Sequence, residues 1–278
     1  MRLATVRTRS GTRAVRIDGE TAVECGVTDV GALLATDDWQ ITANGASGAK
    51  LPVAALDYAP VIPRPGKIIC VGLNYRTHIT EMGRELPTYP TLFAKYPEAL
   101  IGPYDTLTLP DESAEIDWEA ELAVVIGRRT RHVDHAGAVE AIAGYTIIND
   151  VTLRDWQFRT GEWLQGKTFE ATAPFGPHLV TPDELAPDAK ISCVIDEDVV
   201  QESTIADLLF DAGDLISYIS TILTLNPGDV IATGTTGGVG HARTPPRYLQ
   251  DGQTLVTRIA GIGETVTLVR RTAEVRQP

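Results

Sequence analysis

The run over residues 116–127 is apolar except for a short acidic patch that sets Glu119 and Glu121 two residues apart. In an extended chain side chains alternate between faces, so these two carboxylates share one. Neighbouring carboxylates in an apolar setting repel each other and resist desolvation, and a fold that buries them has to supply a compensating cation. A hard metal ion is the simplest. An edge strand with a wet face needs none, and this stretch alone leaves both arrangements open. Asp117 shares the face of Glu119 but stands toward the start of the run and is not expected to bind an ion.

The chain has 278 residues, 43% of them hydrophobic, enough for one large domain or for a catalytic domain with a small appendage. A formal net charge of -13 argues against nucleic acid or an anionic membrane as partner. Cys25, Cys70 and Cys193 lie far apart with no C-x-x-C spacing, so neither a zinc knuckle nor a disulfide framework is expected. The N-terminus lacks the apolar core of a signal peptide, and no run approaches the roughly 20 apolar residues of a membrane span. A cytoplasmic protein in reducing surroundings is the expectation.

Residues 1–60 carry strand patterns at 3–8, 13–17 and 21–24, the last two joined by the hairpin pair Asp18-Gly19. A short helix is expected over 29–34 with Thr28 as its N-cap. Pro60, Pro63 and Pro65-Gly66 then punctuate the chain. They set a boundary between a small N-terminal β-rich module (1–60) and a catalytic domain (61–278). A strand at 67–71 leads to Asn74, expected to cap a short helix that carries His78 and Glu81 at i and i+3. A carboxylate so placed can orient an imidazole as a general base, although a surface pair has the same spacing. The irregular stretch 82–92 behind it is a candidate lid.

Further along, a strand at 144–150 ends in Asp150, a third carboxylate. Arg154 and Gln157 follow at i and i+3, natural anchors for a carboxylate or carbonyl. Lys167, one of five lysines, sits in a glycine-flanked loop where its ammonium can face an oxyanion. His132, Asp134 and His135 read as a surface loop. Apolar residues at helical spacing over 205–223 predict a core helix, broken near Gly213. The glycine-rich stretch 234–240 lacks the lysine of a phosphate-binding loop and reads instead as backbone donors for a substrate carboxylate.

Glu119, Glu121 and Asp150 with no His or Cys beside them favour Mg²⁺, Mn²⁺ or Ca²⁺ over zinc. Such an ion keeps positions for a chelating small molecule, and a 2-oxo acid or the enol of a 1,3-dicarbonyl acid offers two adjacent oxygens. A non-catalytic protein with a structural Ca²⁺ site is the reading of another class. It gives no reason for the His78 and Glu81 pair or for Lys167.

Several ordered motifs carry a resemblance: Gly72-Leu73-Asn74-Tyr75 with His78 and Glu81, Phe93-x-Lys95, and Asp117-Trp118-Glu119-x-Glu121-Leu122. Asn149-Asp150-Val151-Thr152, Arg154-Asp155-x-Gln157, Gly166-Lys167-x-Phe169 and Thr233-Gly234-Thr235 complete it. Over residues 61–270 the chain resembles the fumarylacetoacetate hydrolase family, in its acylpyruvase-like and 2-hydroxyhepta-2,4-diene-1,7-dioate isomerase-like branch. The resemblance implies an α+β, β-rich fold, a mixed β-sandwich roll, in a homodimer. It implies a divalent metal on Glu119, Glu121 and Asp150, a water-activating His78 and Glu81 dyad, and charge stabilisation by Lys167. Arg154, Gln157 and Thr235 match substrate-holding positions. The expected activity is hydrolytic C–C cleavage of an acylpyruvate through a stabilised enolate. Decarboxylation of an oxaloacetate-type acid, or isomerisation or hydration of an oxo-dienoate, are the alternatives. Thr236 stands where the family often has proline, and Glu170 where it often has aspartate, which bears on the substrate-end contacts.

Overall fold

The computed structural model describes residues 1–271 apart from Met82 and Arg84; of His78 and Glu81 it describes the backbone only. The strand Ala120–Ile126 is buried at every residue, which explains why it reads as a nearly continuous apolar run. Antiparallel Ile142–Asn149 flanks it on one side and antiparallel Val230–Thr235 on the other. Val230–Thr235 in turn pairs in parallel with Ile68–Gly72. Among the described residues this mixed sheet has 12 strands, and a second sheet has five.

Alternation along the central strand assigns its layers. Ala123 and Val125 face a core that includes Leu33, Leu34 and Trp39 from the N-terminal helices. Leu122 faces the second sheet through Ile191, Cys193, Leu255 and Ile259. Val124 and Ile126 pack on Leu215, Ile216 and Ile219 of the helix Ala212–Ile222. The expected fold class, β-rich with mixed sheets, is the observed one.

Details differ from the sequence reading for local reasons. Residues 116–127 are not one strand: Ile116–Asp117 pairs with Thr152–Leu153, and Ala120–Ile126 belongs to the large sheet. Between them the Asp117 carboxylate takes the Trp118 N–H at 2.8 Å, turning the chain so that Glu119 leaves the ladder. Asp29, not Thr28, caps the first helix by accepting from Ala32 N at 2.8 Å. The expected helix over 205–223 begins later, at Ala212, where Asp211 and Asp214 form a reciprocal cap, and Gly213 lies inside it unbroken. Asn74 does not cap the helix Arg76–Glu81. Its side chain ties Phe210 N and O and Thr233 O together.

The strand Arg2–Thr8 pairs with Ala173–Val180. Val61 and Ile62, within the proline-rich passage, share a core with Leu3 and Ala173. The boundary expected near residue 60 therefore falls between stretches that share a sheet and a core. Among the described residues no helix is long and apolar enough to cross a membrane.

One consequence of this packing is measurable. His178 stacks edge-on against Tyr58, and its Nδ1 lies 3.1 Å from Ile262 O. Burial pulls it below its ordinary value of 6.5, outweighing the opposite pull of the Ile262 carbonyl. An unfolded chain then binds this proton more tightly than the folded one, so the His178 contribution is present above pH 6.5 and is lost as pH falls through the folded value. Thermal melts between pH 7.5 and pH 5 are expected to show a smaller acid-side loss for His178→Gln than for the unaltered protein.

Candidate active site

Three carboxylates converge at one end of the large sheet. Glu119, Glu121 and Asp150 are buried and offer oxygens all within 4.8 Å of one another. Glu121 comes from the central strand, on the face of Ala123 and Val125, whereas Asp150 follows the end of the neighbouring strand Ile142–Asn149. The backbone closes the group, since Asp150 N donates to Glu119 O at 2.8 Å. Asn149 Oδ1 takes the Glu119 N–H at 3.0 Å, and its amide donates to Thr257 Oγ1 at 2.9 Å, anchoring the cluster to the second sheet. Pairing with Val230–Thr235 shifts register between Glu121 and Ala123. At that irregularity Gly234, with φ +97, turns its N–H onto Glu121 Oε2 at 2.8 Å. A side chain there would press on Val71 O.

Cations compensate the acids. Lys167 Nζ reaches Glu119 Oε2 at 2.6 Å and Asp150 Oδ2 at 2.9 Å. Lys95 Nζ lies 2.8 Å from Asp150 Oδ1, at an angle that leaves that oxygen without a hydrogen bond. Arg154 contacts Glu119 Oε1 and Asp117 Oδ2, both at 2.8 Å, and donates to Gln157 Oε1 at 2.9 Å. Among the described residues four carboxylates thus meet three cations, a formal deficit of one positive charge.

Burial alone would lower the Lys167 ammonium, yet Asp150 and Glu119 outweigh it and hold it above the ordinary lysine value. Burial would raise Asp150, but Lys167 and Lys95 bring it below the usual carboxylate range. Among the described residues Glu121 has no such partner: burial first, then Asp150 and Glu119, push it well above that range. An all-oxygen donor set with one acid left short of positive charge fits a hard divalent ion. Glu119, Glu121 and Asp150 are the residues that would hold it.

Asp117 belongs to another task. Trp118 N, Gly240 N, His241 N and Arg154 Nε all donate to it, the two loop amides at 2.7 and 2.9 Å. The glycine-rich loop expected to bind a substrate carboxylate is therefore corrected: its amides grip carboxylates of the chain itself, Gly234 N that of Glu121 and Gly240 N that of Asp117. Gly166 lets the helix of Lys167 approach Arg154–Gln157, since a Cβ there would lie 2.4 Å from Gln157 N.

A cavity of about 260 Å³ opens onto this cluster, lined by Glu119, Arg154, Gln157, Lys167, Thr235 and His241 among others. Larger hollows lie elsewhere, one of about 860 Å³ around Met1, Arg16 and Asp183, but that one is open and lacks the buried charge cluster. The smaller cavity carries the chemistry. Thr235 donates to Ala120 O at 3.0 Å and accepts from Gln201 at 2.8 Å, so its hydroxyl proton is already engaged. Among the described residues the amide nitrogen of Gln157 has no such engagement. The side chains of His78 and Glu81 lie outside the described residues, as do Met82 and Arg84 of the expected lid. His135 pairs with Asp211 at 3.0 Å on the surface.

Lys95, Asn149, Gln201 and His241 are site residues that the sequence reading gave no role. Lys95 alone had a usable signal, being a rare lysine on a strand of a lysine-poor chain.

Residues 67–270 match the family described as Fumarylacetoacetate (FAA) hydrolase C-terminal. The chain belongs to the fumarylacetoacetate hydrolase family. One relative is the Oxaloacetate tautomerase Fahd2a, mitochondrial, of Rattus norvegicus, 41% identical over 222 residues, 79% of this chain and 71% of that protein. The fumarylacetoacetate hydrolase of Exiguobacterium antarcticum matches in structure with TM-score 0.87 at 30% identity, covering 98% of this chain and 100% of that one. The 5-carboxymethyl-2-hydroxymuconate delta-isomerase of Mycobacterium smegmatis matches with TM-score 0.82 at 34% identity, covering 99% and 100%. The cytoplasmic expectation is corrected by the first of these, whose name places it in mitochondria. The three free, buried thiols do not choose a compartment.

Proposed function

We propose that this family member is a tautomerase of a small 2-oxo dicarboxylic acid of the oxaloacetate type, interconverting its keto and enol forms. The observation that carries the substrate class is the cavity: at about 260 Å³ it is below the roughly 300–1,000 Å³ of ordinary ligand pockets, and its wall carries Arg154 and Lys167. A small anion suits it when a divalent ion turns the cluster's deficit of one positive charge into a surplus. The reaction follows the names of the relatives: the Rattus norvegicus protein is an oxaloacetate tautomerase and the Mycobacterium smegmatis one a delta-isomerase, and neither tautomerisation nor isomerisation breaks the carbon skeleton. They support enolisation over the hydrolytic C–C cleavage expected from the sequence.

A divalent ion, Mg²⁺ or Mn²⁺, would act as a Lewis acid toward a substrate oxygen when bound. The chain's own groups do the rest. Lys167 stays protonated and faces the oxygen on which negative charge grows, an interaction strengthened by its burial. The Gln157 amide, steadied by its Oε1 bond to Arg154, offers its N–H to a substrate carboxylate. Phe93 and Trp163 pack edge-on at 5.4 Å and close the apolar side of the cavity.

The test follows the loss of enol absorbance of oxaloacetate at neutral pH with Mg²⁺, and pyruvate release from oxaloacetate and from acylpyruvates. Fast tautomer equilibration that EDTA abolishes, with little pyruvate, is the expected result. Faster pyruvate release from acylpyruvates than tautomerisation of oxaloacetate would instead favour hydrolysis, the second reading, which the likeness to the Exiguobacterium antarcticum enzyme supports.

A further inference from the structure

His241 is a titratable group on the wall of the cavity that the mechanism above leaves unused. Its backbone is fixed, because Gly240 N and His241 N both donate to Asp117. Its ring stacks on Phe158 with centroids 5.2 Å apart. Its Nδ1 lies 3.2 Å from Tyr248 Oη, and Tyr248 Oη lies 3.3 Å from Glu115 Oε2.

A tyrosine hydroxyl has one proton, and an ionised carboxylate can only accept. Tyr248 therefore gives its proton to Glu115, and its oxygen accepts from His241. In the neutral imidazole that bond places the proton on Nδ1 and leaves the lone pair of Nε2 free. A carboxylate, a hydroxyl and an imidazole in series, with the imidazole on a substrate cavity, is the arrangement of an oriented base.

We propose that His241 is the proton-transfer residue of the enolisation, positioned by Tyr248 and Glu115. The assignment rests on the tautomerase reading above. In the keto-to-enol direction Nε2 takes a proton from C3, and the C–H electron pair becomes the C2–C3 double bond. The C2 oxygen receives the displaced carbonyl pair opposite the Lys167 ammonium. Water then protonates that oxygen and the imidazolium returns its proton to water, so the enzyme ends unchanged. Among the described residues the charged groups around the ring are Glu115 and Asp117 on its own side, with Arg154, Glu119 and Lys167 sharing the cavity wall.

The experiment measures C3 hydrogen–deuterium exchange of oxaloacetate by proton NMR in D₂O with Mg²⁺. It compares the unaltered protein, His241→Ala and Tyr248→Phe, with and without added imidazole, above the imidazole-only background. His241→Ala is expected to lower kcat by about 10²–10⁴-fold. Its melting temperature should be unchanged, and imidazole should restore part of the rate. Tyr248→Phe is expected to lower kcat by roughly tenfold with little change in KM, the mark of a positioning residue. Exchange by His241→Ala within about threefold of the unaltered protein overturns the assignment and leaves the tautomerase reading standing. No exchange by the unaltered protein overturns both. A loss that imidazole does not restore, together with a lowered melting temperature, gives His241 a structural role and also overturns it.

Discussion

Lys167→Met is expected to cost at least about a hundredfold in kcat, the usual effect of removing a buried donor from a developing oxyanion. Its effect on stability separates two roles of the same ammonium. Without metal, Lys167 neutralises Glu119 and Asp150 at 2.6 and 2.9 Å. Methionine fills the space but leaves these buried carboxylates, among the described residues, with Arg154 and Lys95. Breaking one partner of a buried pair typically costs about 3–5 kcal/mol, so the metal-free variant should unfold at clearly lower urea concentration. A divalent ion supplies positive charge at the same carboxylates, so Mg²⁺ should return most of the lost stability and none of the lost rate. If Mg²⁺ restored activity as well, Lys167 would be only a counter-charge.

This double role explains what was legible in the sequence. Glu119 and Glu121 stood out because two acids at period two in an apolar run are costly, and Asp150 because it follows the end of an apolar strand. The costs are local, so the spacing reveals them. The compensating groups come from far along the chain: Lys95 meets Asp150 across more than fifty residues, and Gln201 reaches Ala120 and Thr235 from the second sheet. Nothing in the spacing of a polar glutamine records such a contact. The glycine loop misled for a related reason. Its pattern announced carboxylate-gripping amides, and only the fold could reveal that the carboxylates are the chain's own, Glu121 for Gly234 and Asp117 for Gly240 and His241. Proline likewise marks where regular structure stops but not whether neighbouring side chains are buried, which is why Val61 and Ile62 sit in a core where a linker was expected.

Glu121→Gln is expected to move stability in opposite directions with and without metal. In the metal-free protein Glu121 is buried, has no cation of its own among the described residues, and is pushed above the usual carboxylate range by burial, Asp150 and Glu119. A raised folded-state value means that its stabilising contribution is present below the ordinary value of 4.5 and is lost as pH rises through the folded value. Glutamine has the same shape and no charge, and its carbonyl can still accept from Gly234 N, the bond now made at 2.8 Å. The variant should therefore melt higher than the unaltered protein at pH 8 in EDTA, and the difference should vanish toward pH 4. Added metal reverses the order. An ion at a hundred times its dissociation constant contributes about 2.7 kcal/mol, whereas a site weakened a hundredfold gains only about 0.4 kcal/mol from the same concentration. The unaltered protein should gain several degrees on adding Mg²⁺ and the variant almost none. A variant that responded to Mg²⁺ as strongly as the unaltered protein would show that Glu121 is not a ligand, however well its place among Glu119 and Asp150 suits one.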